Sequence, residues 1–535
     1  MKWPERFIPY LFALIVLLSF ALRYPALSLR PMHTDEAVNA AKFGQLLEGE
    51  GYQYNREEYH GPTLIYLSYI PAWLSGAGTY QELSESILRT LPLVISTLTL
   101  LLFLLLVRSL SWSVATATVA LTALSPAITF YSIYYIHEML LVCCAFGAII
   151  SLYRYYRQPT WFAAALGGVF LGVMYATKET WLMILLAIAG AAFLSGLTGN
   201  RRLSAAWHDL KGKISLGHML LMGGIAAVIG GLFYSSLLTH PRGILDSFLT
   251  FGNYLTQATG AGEVHVHPWH YYLSLLFLPD TSNGIVWGET LIAILAVVGA
   301  IGIFRDRWVP ESGRSFLRFI LFFTVILIIL FSIAPYKTPW NMLIFYQGML
   351  FLAGAGLIAL FRVVTRKPVR YTLLCVLSAG LLHLGWQSYH ALYTQNAEPG
   401  NPYTYAQTTH HVERVADRVD QVTRAHPDGL HMRIHVHWPG SDYWPLPWYL
   451  RNMPNVGWWS EVPENIPPAE LILASEQFKA PLLRQLYQVP PPGKRELYVP
   501  LLETTAELRP GEPVIGFVGK ELWDRYQNSQ SAEKR

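Results

Sequence analysis

The sequence predicts an all-α polytopic membrane domain followed by a small extracytoplasmic α/β domain. Three observations carry this. Eleven long apolar segments run through the first 392 of 535 residues. Hydrophobic residues make up 53% of the chain and charged residues only 14%, too little polar surface for a water-soluble enzyme of this length. The short loops also alternate in charge: Lys and Arg gather in every second loop, and acidic residues, His and isolated Lys fill the others.

A spanning helix needs about 20 mainly apolar residues, because the hydrocarbon core is about 30 Å thick. The segments that answer to this are 7–23, 87–107, 114–133, 138–153, 161–177, 180–197, 216–238, 286–304, 317–334, 340–361 and 371–391. The first follows Lys2 and Arg6 and shows no small-residue cleavage site before Arg23, so it reads as an uncleaved helix rather than a signal peptide. The run 62–76 decides the topology, since counting it as a crossing inverts every later loop. Left in the interface, it puts Lys2, Arg6, Arg108, Arg154, Arg157 and the basic clusters at 201–213, 305–318 and 362–370 on one side. The positive-inside rule then places the amino terminus in the cytoplasm and the carboxyl-terminal region outside the plasma membrane, with external loops at 24–86 and 239–285. A net charge of +4, scattered through loops, argues against nucleic acid as a partner. Cys143, Cys144 and Cys375 all lie within apolar runs, and their spacing sets neither a disulfide framework nor a thiolate metal site.

Chemistry is expected on the outer face. Asp35 and Glu36 open an amphipathic helix after the first crossing. Thr34 or Asp35 can cap that helix, yet two adjacent carboxylates at a membrane surface are costly unless they hold a proton, a metal or a substrate hydroxyl. The turn Arg56-Glu57-Glu58-Tyr59-His60-Gly61-Pro62 leads into the interfacial run. In the tight loop Tyr134–Glu138, Glu138 begins a crossing, where the helix dipole favours a carboxylate. Lys178 and Lys337 stand at outer helix ends, where lysines commonly snorkel. Lys337 has a more constrained setting, between Pro335 and Pro339 with Tyr336 and Trp340 beside it, which suits a cation aimed at a lipid phosphate. His265, His267 and His270 in the long external loop read as polar loop residues near an interfacial helix at 269–278 rather than as metal ligands.

Residues 393–535 are polar, with strand-like runs at Met432–His437, Leu471–Ala474 and Val514–Val518 and helix-like runs at 403–425 and 476–487. They predict a small α/β domain over the outer face of a transmembrane domain formed by residues 1–392. The aromatics of the run His435–Arg451 are read as docking on the membrane part, ahead of stacking on a sugar.

The order of these features resembles the GT-C superfamily of lipid-phosphate-sugar-dependent glycosyltransferases, especially the family 39 protein mannosyltransferase and aminoarabinose transferase branch. His33-Thr-Asp35-Glu36-Ala resembles the acidic motif of the first external loop, Tyr59-His60-Gly61-Pro62 the turn after it, and Leu88-Arg89-Thr-Leu-Pro92 the start of the next helix. Tyr-Tyr-Ile-His137-Glu138 resembles the second external acidic site. Pro335-Tyr336-Lys337-Thr338-Pro339-Trp340 resembles a segment of the polytopic flippase activity-associated proteins of surface glycosylation. Gly61 departs from the Pro-Pro turn of the transferases, and Glu138 stands where they more often carry Asp. The resemblance implies inverting sugar transfer from a polyprenyl-phosphate-linked donor to a protein, lipid or glycan acceptor, without a nucleotide. Asp35 would be the base, with Glu36 and Glu138 positioning the acceptor; a divalent metal, where one is held, would sit on Asp35 and Glu138. Lys337, Lys178 and Arg89 would neutralise the leaving phosphate, and His60, Tyr336 and Trp340 would line the substrate site. A non-catalytic protein that binds lipid-linked sugar, flippase-associated or transporting, would keep Lys337 without needing Asp35.

Overall fold

The structure is a computed structural model that describes residues 5–57, 60–198, 212–258, 265–305, 308, 311–464, 467–491, 493 and 495–533. Glu58, Tyr59 and Glu263, and the basic residues Lys2, Arg201, Arg202, Lys211 and Arg307, lie outside them. Among the described residues, seven helices are long and apolar enough to cross a membrane, and four more, Trp112–Leu124, Trp161–Tyr175, Trp181–Leu197 and Thr290–Ile303, are apolar but shorter. Each of the expected segments falls on one of these. The segment 114–133 breaks into Trp112–Leu124 and Pro126–Tyr131, because Pro126 drives Ser125 out of the α region and the Ser125 hydroxyl caps the second helix at Ile128 N, 3.2 Å away.

Close helix packing is licensed by small residues. Gly299 on helix Thr290–Ile303 lies against the Leu352 carbonyl, and Gly356 on helix Leu343–Val363 against that of Leu295, so neither position has room for a Cβ. The run 62–76 forms two short helices, Thr63–Leu67 and Tyr69–Ser75. At a rise of about 1.5 Å per residue the longer covers about 10 Å, a third of the hydrocarbon core.

The long loop at 239–285 holds more structure than the sequence reading gave it. Helix Tyr271–Phe277 matches the interfacial helix, but a second, Arg242–Ala258, precedes it, with Leu245, Phe248 and Leu249 exposed along one face. Their three- and four-residue spacing is the amphipathic signal that could have found it. A hairpin, β1 (Asp280–Ser282) with β2 (Ile285–Trp287), follows.

Beyond helix Lys367–Tyr393, the carboxyl-terminal region is a mixed sheet flanked by helices. Its strands are β3 (Ile434–His437), β4 (Val456–Trp459), β5 (Leu471–Ser475), β6 (Tyr498–Pro500), β7 (Ala506–Glu507) and β8 (Pro513–Gly519), in spatial order β4-β3-β5-β8-β6 with β7 also on β8. The pairs of β3 with β4 and β5 are parallel; those made by β8 are antiparallel. Alternation along the strands sends Ile434, Val436, Leu471 and Leu473 into one core with the valines of helix His411–Arg424, and Ile472 and Ala474 into another with Leu482 and Leu486. The expected helix 403–425 begins only at His411. Residues before it are drawn out as a connection, with the Tyr403 hydroxyl bonded to the buried Glu289 carboxylate at 2.9 Å. The aromatic run does dock: Trp448 Nε1 donates to Glu85 at 2.8 Å, and the Tyr449 hydroxyl accepts from Met32 N at 2.9 Å.

Candidate active site

Helix Thr34–Leu47 positions the first acidic pair. Its cap is His33, not Thr34 or Asp35: His33 Nδ1 accepts from Asp35 N at 3.1 Å, and Glu36 Oε2 accepts from His33 N at 3.0 Å. His33 Nε2 then donates to the Tyr405 carbonyl at 3.1 Å, which sets the tautomer. Burial pushes the His33 pKa down, so this ring is neutral at pH 7.

The helical turn sends the two neighbouring carboxylates in different directions. Glu36 is 0% exposed and accepts from Arg89 Nε and Nη2, both at 2.8 Å, and from Tyr135 N at 2.9 Å; Arg30 stands 3.5 Å away. Burial works to raise its pKa, but the charges of Arg89 and Arg30 and these hydrogen bonds outweigh that and hold it at about 2. Arg89 is equally occupied, since its remaining N–H groups go to the carbonyls of Leu27, Arg30 and Pro31. Neither has a donor or acceptor left for a substrate, contrary to the expectation that Glu36 positions an acceptor and Arg89 meets a phosphate. Asp35 is different, with its side chain 48% exposed and its Oδ2 3.9 Å from the neutral His33 ring.

Glu138 opens helix Glu138–Arg157 and is ion-paired with Lys178, whose ammonium also donates to Asn341 Oδ1 at 3.0 Å. Lys178 is held there by backbone. His60 and Lys178 form an antiparallel bridge, and Gly61 N donates to the Thr177 carbonyl at 3.1 Å. Gly61 is needed for this approach, because a Cβ on it would stand 2.1 Å from the Ala176 carbonyl oxygen. The departure from a Pro-Pro turn therefore has a packing cause. His60 is half-exposed, with its ring 3.3 Å from Glu179 Oε2 and packed on His137, which donates to the Gly61 carbonyl at 3.0 Å.

Lys337 lies where 265–267 covers 335–337. Lys337 N donates to the His265 carbonyl at 2.9 Å and His267 N to the Pro335 carbonyl at 3.2 Å. The ammonium donates to the carbonyls of His267, at 3.0 Å, and Ala334, and among the described residues no carboxylate pairs with it. Only 1% of the residue is exposed, and burial lowers its pKa. Trp340 is not at a headgroup surface. It is buried in an aromatic floor with His33, Tyr131, Tyr134 and Tyr405. Tyr336 stays partly open, and burial, with smaller contributions from the charges of Asp35 and Glu138, pushes its phenol up to about 12.

Sequence reasoning set aside His265 and His267, and it left Asn341 and Tyr405 without roles. In the structure the Tyr405 hydroxyl meets His265 Nδ1 at 2.5 Å and His267 Nε2 at 3.2 Å, fastening the connection 394–410 over the covering loop. The alternation of His265 and His267 was the available signal for a shared partner. A small crevice is lined by Glu138, Lys178 and Asn341 together with Leu141, Val142, Phe331, Leu343 and Ile344, so charged and apolar side chains share its wall.

A divalent metal fits this arrangement poorly. One of the two expected ligands, Glu138, is already neutralised by an ammonium, and among the described residues no three of His, Cys, Asp and Glu converge.

No family model matches the chain, and no curated protein matches it in sequence. Solved structures do resemble it. ArnT from Cupriavidus metallidurans bound to undecaprenyl phosphate aligns with a TM-score of 0.64 at 14% identity, covering 94% of this chain and 97% of that one. The archaeal oligosaccharyltransferase AglB from Archaeoglobus fulgidus, in complex with an inhibitory peptide and a dolichol-phosphate, aligns with a TM-score of 0.53 at 12% identity over 90% of this chain and 70% of that one. An oligosaccharyltransferase from the same organism, in complex with zinc and sulfate, gives 0.52 at 12% identity over 88% and 68%. At these identities the likeness is one of fold alone, and the chain shares that fold with ArnT and with the archaeal oligosaccharyltransferases.

Proposed function

We propose that the protein is a membrane glycosyltransferase that moves a sugar from a polyprenyl-phosphate-linked donor to an acceptor on the extracytoplasmic face, with its amino terminus in the cytoplasm. The observation that carries this reading is the crevice, where the paired Lys178 ammonium and Glu138 carboxylate, with Asn341, meet walls of Leu, Ile, Val and Phe. Such a site accepts an amphipathic anion, with a phosphate at the charged side chains and an isoprenoid chain against the apolar ones. The fold likeness to an ArnT holding undecaprenyl phosphate supports the same reading.

In this mechanism the acceptor hydroxyl attacks the anomeric carbon as its proton passes to Asp35. The new C–O bond forms on the face opposite the phosphate, and the bond from the anomeric carbon to the phosphate oxygen breaks with its electron pair, leaving polyprenyl phosphate. Lys178 and Lys337 stabilise the charge that builds on that phosphate, which requires 265–267 to yield the Lys337 ammonium. Glu36 and Arg89 act by holding the helix that presents Asp35, and are positioning residues.

The test is transfer of radiolabelled sugar from polyprenyl-phosphate donors by the full chain, with donor binding measured in parallel. Asp35→Asn is expected to cut transfer by roughly 10²–10⁴-fold with donor binding retained, and Lys337→Ala to weaken donor binding. Donor binding without transfer to any acceptor, water included, would favour the accessory or transporting role.

A further inference from the structure

Glu138, expected from the sequence to share any divalent metal with Asp35, is ion-paired with Lys178. An oligosaccharyltransferase of the same fold was solved with zinc, so the identity of the cation at this place is a real question. We propose that the Lys178 ammonium is the resident cation of the site, locked to Glu138 and Asn341, and that transfer runs without a bound divalent metal; this rests on the transferase reading above.

Three features of the chain support it. Lys178 is fixed in place by backbone on both sides, through the bridge to His60 and the bond from Gly61 N to the Thr177 carbonyl at 3.1 Å, so its ammonium is part of the built site rather than a snorkelling surface charge. The charges are also already balanced. Glu36 is consumed by two arginines, Glu138 by Lys178, and only Asp35 keeps an open carboxylate. A divalent ion entering between Asp35 and Glu138 would meet one free carboxylate and the repulsion of Lys178. Finally, an ammonium has three N–H groups. Glu138 and Asn341 take two, which leaves one for a phosphate oxygen.

The experiment uses the full chain stripped with a chelator, and reads Mn²⁺ binding by electron paramagnetic resonance alongside transfer. Wild type is expected to leave the free Mn²⁺ signal undiminished and to transfer equally with and without chelator. Lys178→Met is expected to lose transfer by roughly 10²-fold or more, as for removal of a donor that stabilises developing charge, and Lys178→Arg to retain part of it. Depletion of the Mn²⁺ signal by wild type, relieved in Asp35→Asn or Glu138→Gln, would overturn the proposal and leave the transferase reading standing. Loss of wild-type transfer on chelation, restored by Mn²⁺, would overturn it as well. If no preparation transfers sugar, the transferase reading fails, and the wild-type Mn²⁺ signal alone still decides which cation the site holds. Because that measurement needs no variant, a Lys178→Met protein that fails to fold does not shelter the proposal.

Discussion

Asp35 and Glu36 are neighbours in sequence and opposites in use. Glu36 is sealed in a knot with Arg89 and Arg30, with all its bonding capacity filled from within. Asp35, one residue away, keeps a half-exposed side chain with its Oδ2 3.9 Å from the neutral His33 ring. A helix turns about 100° per residue, so adjacent positions on an amphipathic helix belong to different environments. The lesson is that an acidic pair need not share a function: one member builds the scaffold that the other works from.

The sharpest way to break this contrast is to remove one charge from each side. Glu36→Gln leaves two buried arginines without their counter-charge, and is expected to destabilise the fold by about 3–5 kcal/mol. Asp35→Asn, at a half-exposed position, is expected to change stability by less than about 0.5 kcal/mol. Thermal melts of the two variants in detergent check this. Equal melting temperatures would mean that Glu36 is not the structural member of the pair.

A second, smaller effect tests whether the backbone holds the Lys178 side of the site. Gly61→Ala places a methyl group against the Ala176 carbonyl, and the bridge between His60 and Lys178 must open to admit it. The expected cost is about 1–3 kcal/mol, as for other overpacked positions, with a fall in transfer as the ammonium shifts away from Asn341. Unchanged transfer in a normally folded variant would mean that the ammonium does not depend on this turn for its placement.

How much of this was legible in the sequence follows from the range of each interaction. Hydropathy is a local signal, so all eleven apolar segments were recovered as helices. Broken elements were harder. Ser125-Pro126 splits an apolar run without changing its composition, and β6 and β7, of three and two residues, are too short to carry a period. In the site, residue types could be named but their pairings could not. Glu36 and Arg89 lie 53 positions apart on different helices, and Glu138 and Lys178 lie 40 apart, on a helix and in the turn between two others. No spacing rule connects such residues, so the sequence could not separate a spent carboxylate from a working one. Gly61 read as a defect in a motif until the carbonyl it packs against was visible.

The smallest effect separates the two carboxylates by titration. With a folded-state pKa of about 2 against an ordinary value of 4.5, Glu36 binds its proton less readily in the folded chain than in the unfolded one. Its stabilising contribution is therefore complete above pH 4.5 and is lost as the pH falls toward 2. Between neutral pH and pH 4 only the start of that loss is sampled, about 1 kcal/mol. Chemical denaturation across this window should show wild type and Asp35→Asn weakening together. Glu36→Gln, already lower in stability, should lack this component, because the group that takes up the proton is gone. If Glu36→Gln kept the wild-type slope while Asp35→Asn flattened it, the open carboxylate would be the one coupled to folding, and the division of labour between the two neighbours would be reversed.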